Sequence, residues 1–259
     1  MALIIFFVAQ WYISLFAQTF FLHRYAAHGM FTMSKGWERF FFVFTFIAQG
    51  SNYLSPYGYG VMHRMHHAFT DTEKDPHSPL FSKNLMDMMM QTLRTYQKIA
   101  QRKIDLETRF TRNVPDWMKF DYFAGHSATR ILWVVVYTLI YAWLATAWWQ
   151  WLFFPITLSM APVHGAIINW FAHKFGDRPF EMSNTSTNFL PIDFLMMGES
   201  YHNNHHKFDK SANFGVKWYE LDPTYFVIKL LDKCNVIQLK PIMLPVKNYK
   251  PERRAQEVL

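Results

Sequence analysis

Cysteine is almost missing from this chain. The single one, Cys234, excludes an internal disulfide framework and any cluster held by several thiolates. Charge is scarce too: Asp, Glu, Lys and Arg make up 17% of residues, against 51% hydrophobic and 19% aromatic. The deficit is concentrated. Residues 2–22 carry no charge, and neither do the 42 residues from 131 to 172. Runs of that length ask for lipid. Internal repeats, low-complexity tracts and flexible linkers are absent, which points to one domain, 1–259. A net charge of +7 would suit nucleic acid, but its distribution along the chain excludes that partner.

The uncharged runs set the expected topology. Twenty-one residues, 2–22, at about 1.5 Å each reach roughly 30 Å, one bilayer core. No basic stretch precedes this run and no small-residue cleavage site closes it, so it reads as a retained span, not a signal peptide. Residues 131–172 would extend about 63 Å as one helix, twice the bilayer. Two antiparallel spans, 131–148 and 152–172, fit better. Trp148, Trp149 and Trp151 then form an interfacial belt, and Pro155 and Pro162 start or kink the second helix. Residues 40–62 are also uncharged, but Gly50-Ser51-Asn52, Pro56, Gly58 and Gly60 break a helix there. A single crossing would also place His63 on the face opposite His23. This stretch reads as interfacial or re-entrant.

The polar stretches 63–130 and 174–259 form a cap. Between Arg64 and Arg130 there are 11 basic and 8 acidic residues, and 12 basic residues follow from Lys174. With Arg24, Lys35 and Arg39, all 26 fall on one side of the membrane, the cytoplasmic side by the positive-inside rule. The run 101–112 is either a solvated charged face or a basic rim for the phosphates of coenzyme A or a phospholipid. The expected fold is an all-α integral membrane protein: about three transmembrane helices, an interfacial apolar segment and a helical cytoplasmic cap.

Histidine is what the chain does have in pattern. Tyr201-His202-Asn203-Asn204-His205-His206 puts three imidazoles at i, i+3 and i+4, on one side of a helical turn. His63-Arg64-Met65-His66-His67 repeats the spacing, and His23 and His28 form a looser pair. Asn169 and His173, at i and i+4, end the last apolar run on one helix face. His164, nine residues before His173, points the opposite way and reads as a packing or lipid-path residue. His126 reads as a surface-loop residue. Nine clustered histidines exceed the four ligands of one zinc ion and suit two six-coordinate ions such as iron, with positions left for oxygen or water. Carboxylate di-iron bundles would need paired Glu-x-x-His motifs. Glu199-Ser200-Tyr201-His202 supplies that motif once, so Glu199 is expected to orient an imidazole.

His23-x4-His28, His63-x2-His66-His67 and His202-x2-His205-His206 resemble the three histidine boxes of the membrane fatty-acid desaturases, the acyl-CoA (stearoyl-CoA type) branch fitting best. Asn169-x3-His173 is similar to that family's extra ligand motif. Further similarity runs through Asp71-Thr72-Glu73-Lys74-Asp75-Pro76-His77-Ser78, Gly198-Glu199 and Lys217-Trp218-Tyr219-Glu220-Leu221-Asp222, covering roughly residues 10 to 240. The resemblance implies nine iron ligands, His23, His28, His63, His66, His67, His173, His202, His205 and His206, with Asn169 acting through a water. His77 matches a family position not counted among the ligands. The family usually has four membrane helices, and the expectation here is about three, without a counterpart of the first. Gly-Glu-Ser-Tyr precedes His202 where the family often has a second glycine and a Trp or Phe, a departure that touches tunnel shape and oligomer packing more than metal binding.

The implied activity is oxygen-dependent desaturation of a fatty acyl chain carried as a CoA thioester or a lipid. The implied cofactors are two iron ions, with O2 as co-substrate. Electrons would come from a separate ferredoxin or cytochrome b5-type protein with its reductase, docking on the charged cap. Phe20, Phe21, Tyr53 and Tyr57 are candidates for lining an acyl tunnel, with ordinary packing as the other reading. A di-iron hydroxylase or acetylenase using the same boxes is an alternative. A membrane metal carrier or sensor is another, disfavoured because the histidines gather at one face instead of along the spans.

Overall fold

The computed structural model describes residues 1–241. The part of the expected cap at 242–259 lies outside the described residues. Helix α1 (Ala2–Phe16) runs on without interruption into a π-helical stretch, Ala17–Ala27. Together they form one 26-residue helix, long and apolar enough to cross a bilayer. Strand β1 (Phe31–Met33) follows, then α2 (Lys35–Gln49), capped by the Ser34 hydroxyl accepting from the Trp37 N–H. Gly50 ends α2 at φ +55, a conformation that a side chain disfavours. Pro56 at the first turn and the Ser55 hydroxyl restart the chain as α3 (Pro56–Phe69). The break expected within 40–62 is therefore real, and its consequence is that α3 carries the second histidine box in a fresh direction.

Four helices follow: α4 (Leu85–Ala100), the single turn α5 (Thr108–Thr111), α6 (Met118–Gly125) and α7 (Ser127–Leu144). α7 is the second helix long and apolar enough to span, and it exposes an apolar face that includes Leu139 and Trp143. A 3-10 stretch, Trp148–Phe153, leads to α8 (Phe154–Leu158) and α9 (Met160–Ala166), which continues as a π-helix, Ile167–Phe171. In the stretch expected as the span 152–172, started or kinked by its prolines, the helix breaks at Ser159 and bends by 72°. Pro155 and Pro162 sit on either side of the break, and neither can donate a backbone hydrogen bond across it. Long loops lead to α10 (His202–Lys207), α11 (Pro223–Lys233) and β2 (Ile237–Leu239).

The expectation of an all-α chain also needs one correction. β1 and β2 pair antiparallel, with Phe31 opposite Leu239 and Met33 opposite Ile237. This ribbon ties the far end of the described chain to the segment after the first helix. Beneath it lies an aromatic core of Phe20, Phe21, Phe31, Phe41, Phe42 and Phe214. α3 packs along the π-helical stretch at Gly60, where a Cβ would lie 3.0 Å from the Ala26 carbonyl oxygen. The missing side chain at Gly60 is what brings two histidine-bearing helices into backbone contact.

Candidate metal centre

Helical period decides how each box divides. Successive residues turn by about 100°, so residues i and i+4 lie about 40° apart and i+3 falls to the other side of i. In α3 the i, i+4 pair is His63 and His67, with His66 the odd one. In α10 it is His202 and His206, with His205 the odd one. The structure exchanges the odd members. His63 and His67 join His23, His28 and His205 in one group, while His202 and His206 join His66 and His173 in another. Within each group, one nitrogen from each ring lies within 4.8 Å of all the others.

The x4 spacing of the first box has its own cause. The helix is π-helical here, with residues paired i to i+5, and His28 N–H donates to the His23 carbonyl at 3.1 Å. Residues five apart then share a face, and the two rings lie 5.0 Å apart. A second π stretch precedes His173. It ends at Phe171, so Asn169 and His173 are not the regular i, i+4 helical pair expected. His173 lies beyond the last turn, its Nδ1 3.2 Å from Thr185 Oγ1. Asn169 lines the cavity wall with His202, beside the four-membered group.

The facing nitrogens are uniformly close. Nε2–Nε2 distances are 3.1 Å for His23–His205, 2.9 Å for His28–His63 and 3.0 Å for His67–His205. In the second group they are 3.0 Å for His173–His202, 3.0 Å for His202–His206 and 3.3 Å for His66–His206. Burial first, and then neighbouring imidazoles, push His63, His66, His67, His202, His205 and His206 well below the ordinary histidine value. The rings are therefore neutral, and their lone pairs converge. At a metal–nitrogen bond of about 2.1 Å, ligands at right angles are about 3.0 Å apart and tetrahedral ones about 3.4 Å. The observed spacing fits right-angled ligands, so each group could hold a six-coordinate ion.

Carboxylates face the outer nitrogens of three rings, two directly and the third through the Thr185 hydroxyl, the usual way a ligating imidazole is fixed in tautomer and direction. Glu199 Oε2 lies 2.6 Å from His23 Nδ1. Asp75 Oδ1 lies 2.9 Å from His66 Nδ1, and Asp71 Oδ2 lies 3.8 Å from His173 Nδ1 and accepts from Thr185. Burial opposes ionisation of Asp71, but His173 and Thr185 outweigh it and hold the group below its usual range. Sequence reasoning gave Asp71 and Asp75 no role. The signal was two aspartates four apart just after the second box.

Three further histidines are placed. His77 packs on His66 at 4.2 Å between ring centres, and with Asp75 and His66 it forms a third, smaller group of ligand-type atoms. His164 belongs to neither group: it is buried edge-on against Trp11 at 4.4 Å and borders an apolar cavity. His126 is exposed and caps α7, its Nδ1 accepting from the Ala128 N–H.

A cavity of about 250 Å³ opens beside the first and second groups. His23, His63 and His202 border it, and Leu15, Met62, Met90, Leu93, Ile168 and Met196 supply apolar wall. Of the four aromatics, read from the sequence as tunnel lining or as ordinary packing, none lines this cavity. Phe20 and Phe21 turn to the opposite face of their helix and fill the core, and Tyr57 stacks under the Arg102 guanidinium. Tyr53 borders a separate polar cavity that also includes Arg102, Lys103 and Arg130.

Comparison with known proteins agrees with this geometry. The family model described as fatty acid desaturase matches residues 1–231. The chain is 32% identical over 219 residues to the Delta-9 desaturase-like 2 protein of Arabidopsis thaliana, covering 81% of this chain and 67% of that one. It is 30% identical over 223 residues to the acyl-CoA C20 Delta5-desaturase of Anemone leveillei, covering 84% and 66%. It is 29% identical over 218 residues to the Delta-9 acyl-lipid desaturase 1 of Arabidopsis thaliana, covering 81% and 66%. The chain thus spans about two thirds of the length of these relatives. A match to the family model across nearly all of the chain, on residues that converge on one buried centre, makes this chain a member of the fatty acid desaturase family.

Proposed function

We propose that the chain is an oxygen-dependent fatty acyl desaturase, an oxidoreductase that inserts a double bond into an acyl chain held beside a di-iron centre. The observation that carries this reading is the division of nine histidines, seven buried and two half-buried, into two adjacent groups spaced for right-angled ligands. His23, His28, His63, His67 and His205 would hold one iron. His66, His173, His202 and His206 would hold the other, with Asn169 contributing through a water. Iron bound there would supply oxygen activation strong enough to remove hydrogen from an unactivated methylene.

The chain's own residues do the rest. Glu199, Asp75 and Asp71 fix the outer nitrogens, so the inner ones meet the ions already aligned. Leu15, Met62, Ile168 and Met196 exclude water and hold the acyl chain against the histidines. The spans are read as Ala2–Ala27, Ser127–Leu144 and the bent pair Trp148–Leu158 and Met160–Phe171. The polar segments that carry the boxes are assigned to the cytoplasmic side by their basic residues. Two electrons per turnover would come from a ferredoxin or cytochrome b5-type donor. The relatives' names include both acyl-CoA and acyl-lipid enzymes, so either carrier is compatible with the family.

The test is the acyl-lipid profile of cells expressing the chain with such a donor, together with metal analysis of the purified protein. New monounsaturated chains and about two irons per chain are expected. Hydroxylated chains would instead select the hydroxylase. Bound zinc with no oxygen consumption, after growth in ample iron, would overturn the reading.

A further inference from the structure

Besides His77, which packs on His66 and has neither ring nitrogen partnered, the apolar cavity has two polar features that desaturation of a plain hydrocarbon tail does not use. His164 is 1% exposed, and neither ring nitrogen has a hydrogen-bond partner. Gln18 is 8% exposed; its amide is hydrogen-bonded to the Tyr59 hydroxyl, but its Oε1 has no partner. Both side chains line the same cavity. They come from different helices: Gln18 from the first, five residues before His23, and His164 from α9, nine residues before His173. Trp11 and Leu15 share the helix face with Gln18, and Trp11 backs His164 edge-on. The polar pair therefore sits on the two helical stretches that lead into His23 and His173, within the cavity that those helices wall.

A buried polar atom without a partner is costly, and most such atoms in folded proteins are satisfied by protein, water or ligand. A saturated tail can satisfy neither group. The chemistry of the pair specifies what can. Gln18 Oε1 only accepts, and a neutral imidazole offers one N–H and one acceptor nitrogen. A hydroxyl donates and accepts at once, so it can donate to Gln18 and accept from His164. A ketone can accept from His164 and leaves Gln18 unmet.

We propose that Gln18 and His164 form a recognition site for a hydroxyl group on the tail of the acyl substrate, so that this enzyme prefers hydroxy-acyl chains to plain ones. The proposal rests on the desaturase reading and deepens it by naming a substrate class. On that reading the pair would meet the tail, and the bond to be desaturated would lie against the histidines that border the same cavity.

The experiment uses the full chain in detergent or nanodiscs. Binding constants are measured for saturated C16 and C18 acyl chains with one hydroxyl walked along the tail, for the matching ketones, and for the plain chains. A hydroxyl at one or two adjacent carbons is expected to tighten binding about tenfold over the plain chain, equivalent to about 1.4 kcal/mol. The ketone should fall between. Gln18→Leu and His164→Phe should each reduce the difference between hydroxy and plain chains, and together they should erase it. Plain chains binding at least as tightly as every hydroxy isomer would overturn the proposal without touching the desaturase reading. The same holds if the preference survives in the double variant. Failure of all acyl chains to bind would overturn both.

Discussion

His23 and Glu199 meet at 2.6 Å, Nδ1 to Oε2, on the side of the imidazole away from the nitrogen that faces His205. The carboxylate thus selects which nitrogen is free to bind a metal. Burial opposes the Glu199 charge, but His23 and Arg24 overcome that cost and hold the group ionised. Glu199→Gln keeps the shape and removes the anion. Iron affinity should fall by roughly 10–100-fold with the helix content unchanged. Metal titration of the purified variant, beside circular dichroism, checks this.

The charge on Glu199 is itself anchored. Arg24 is fully buried, donating from Nη1 to Glu199 at 3.0 Å and from Nη2 to Asp222 at 2.7 Å, with its guanidinium 3.7 Å over the Phe214 ring. Arg24→Met would strand two buried carboxylates. A loss of about 3–5 kcal/mol is expected, because breaking a buried pair leaves an uncompensated charge. Thermal unfolding in a fixed detergent measures it.

His205 is the member of the third box that crosses to the five-histidine group, facing both His23 and His67. His205→Ala should abolish acyl-dependent oxygen consumption and lower bound iron while membrane insertion is unchanged. Full activity in this variant would contradict a shared centre.

A pH effect is expected away from the metal centre. Burial raises Asp121 from 3.8 to about 6, against the opposing hydrogen bonds donated by Ser55 and Tyr53. The folded state then holds its proton to higher pH than the unfolded state. Its contribution is full below about 4 and is lost as pH rises through about 6. Asp121→Asn should flatten that part of the stability profile, read as the unfolding midpoint between pH 4 and 7.

The carbon skeleton of the site was legible because it is periodic. Three imidazoles within five residues share a helix face whatever surrounds them, so the boxes could be read at His63 and His202 directly. Uncharged runs likewise fix where lipid-compatible helices lie. The boundaries were less legible: a π-helical turn and a 72° bend at Ser159 leave no mark in hydrophobicity. The all-α reading missed the short ribbon because three-residue strands are too brief for an alternating pattern.

The sequence by itself determined which residues are of metal-ligand type, that there are more of them than one ion needs, and that they sit beside apolar runs long enough to span a membrane. Tertiary structure decided the assignment. It sent His66 away from its own box and brought His205 in its place, and it chose Asp71 and Asp75 as anchors. It placed Glu199 and Asp222, 175 and 198 positions along the chain from Arg24, around one guanidinium. Helical spacing is a local property of the backbone, whereas the partner of a buried charge is set by whichever distant segment must neutralise it once water is excluded.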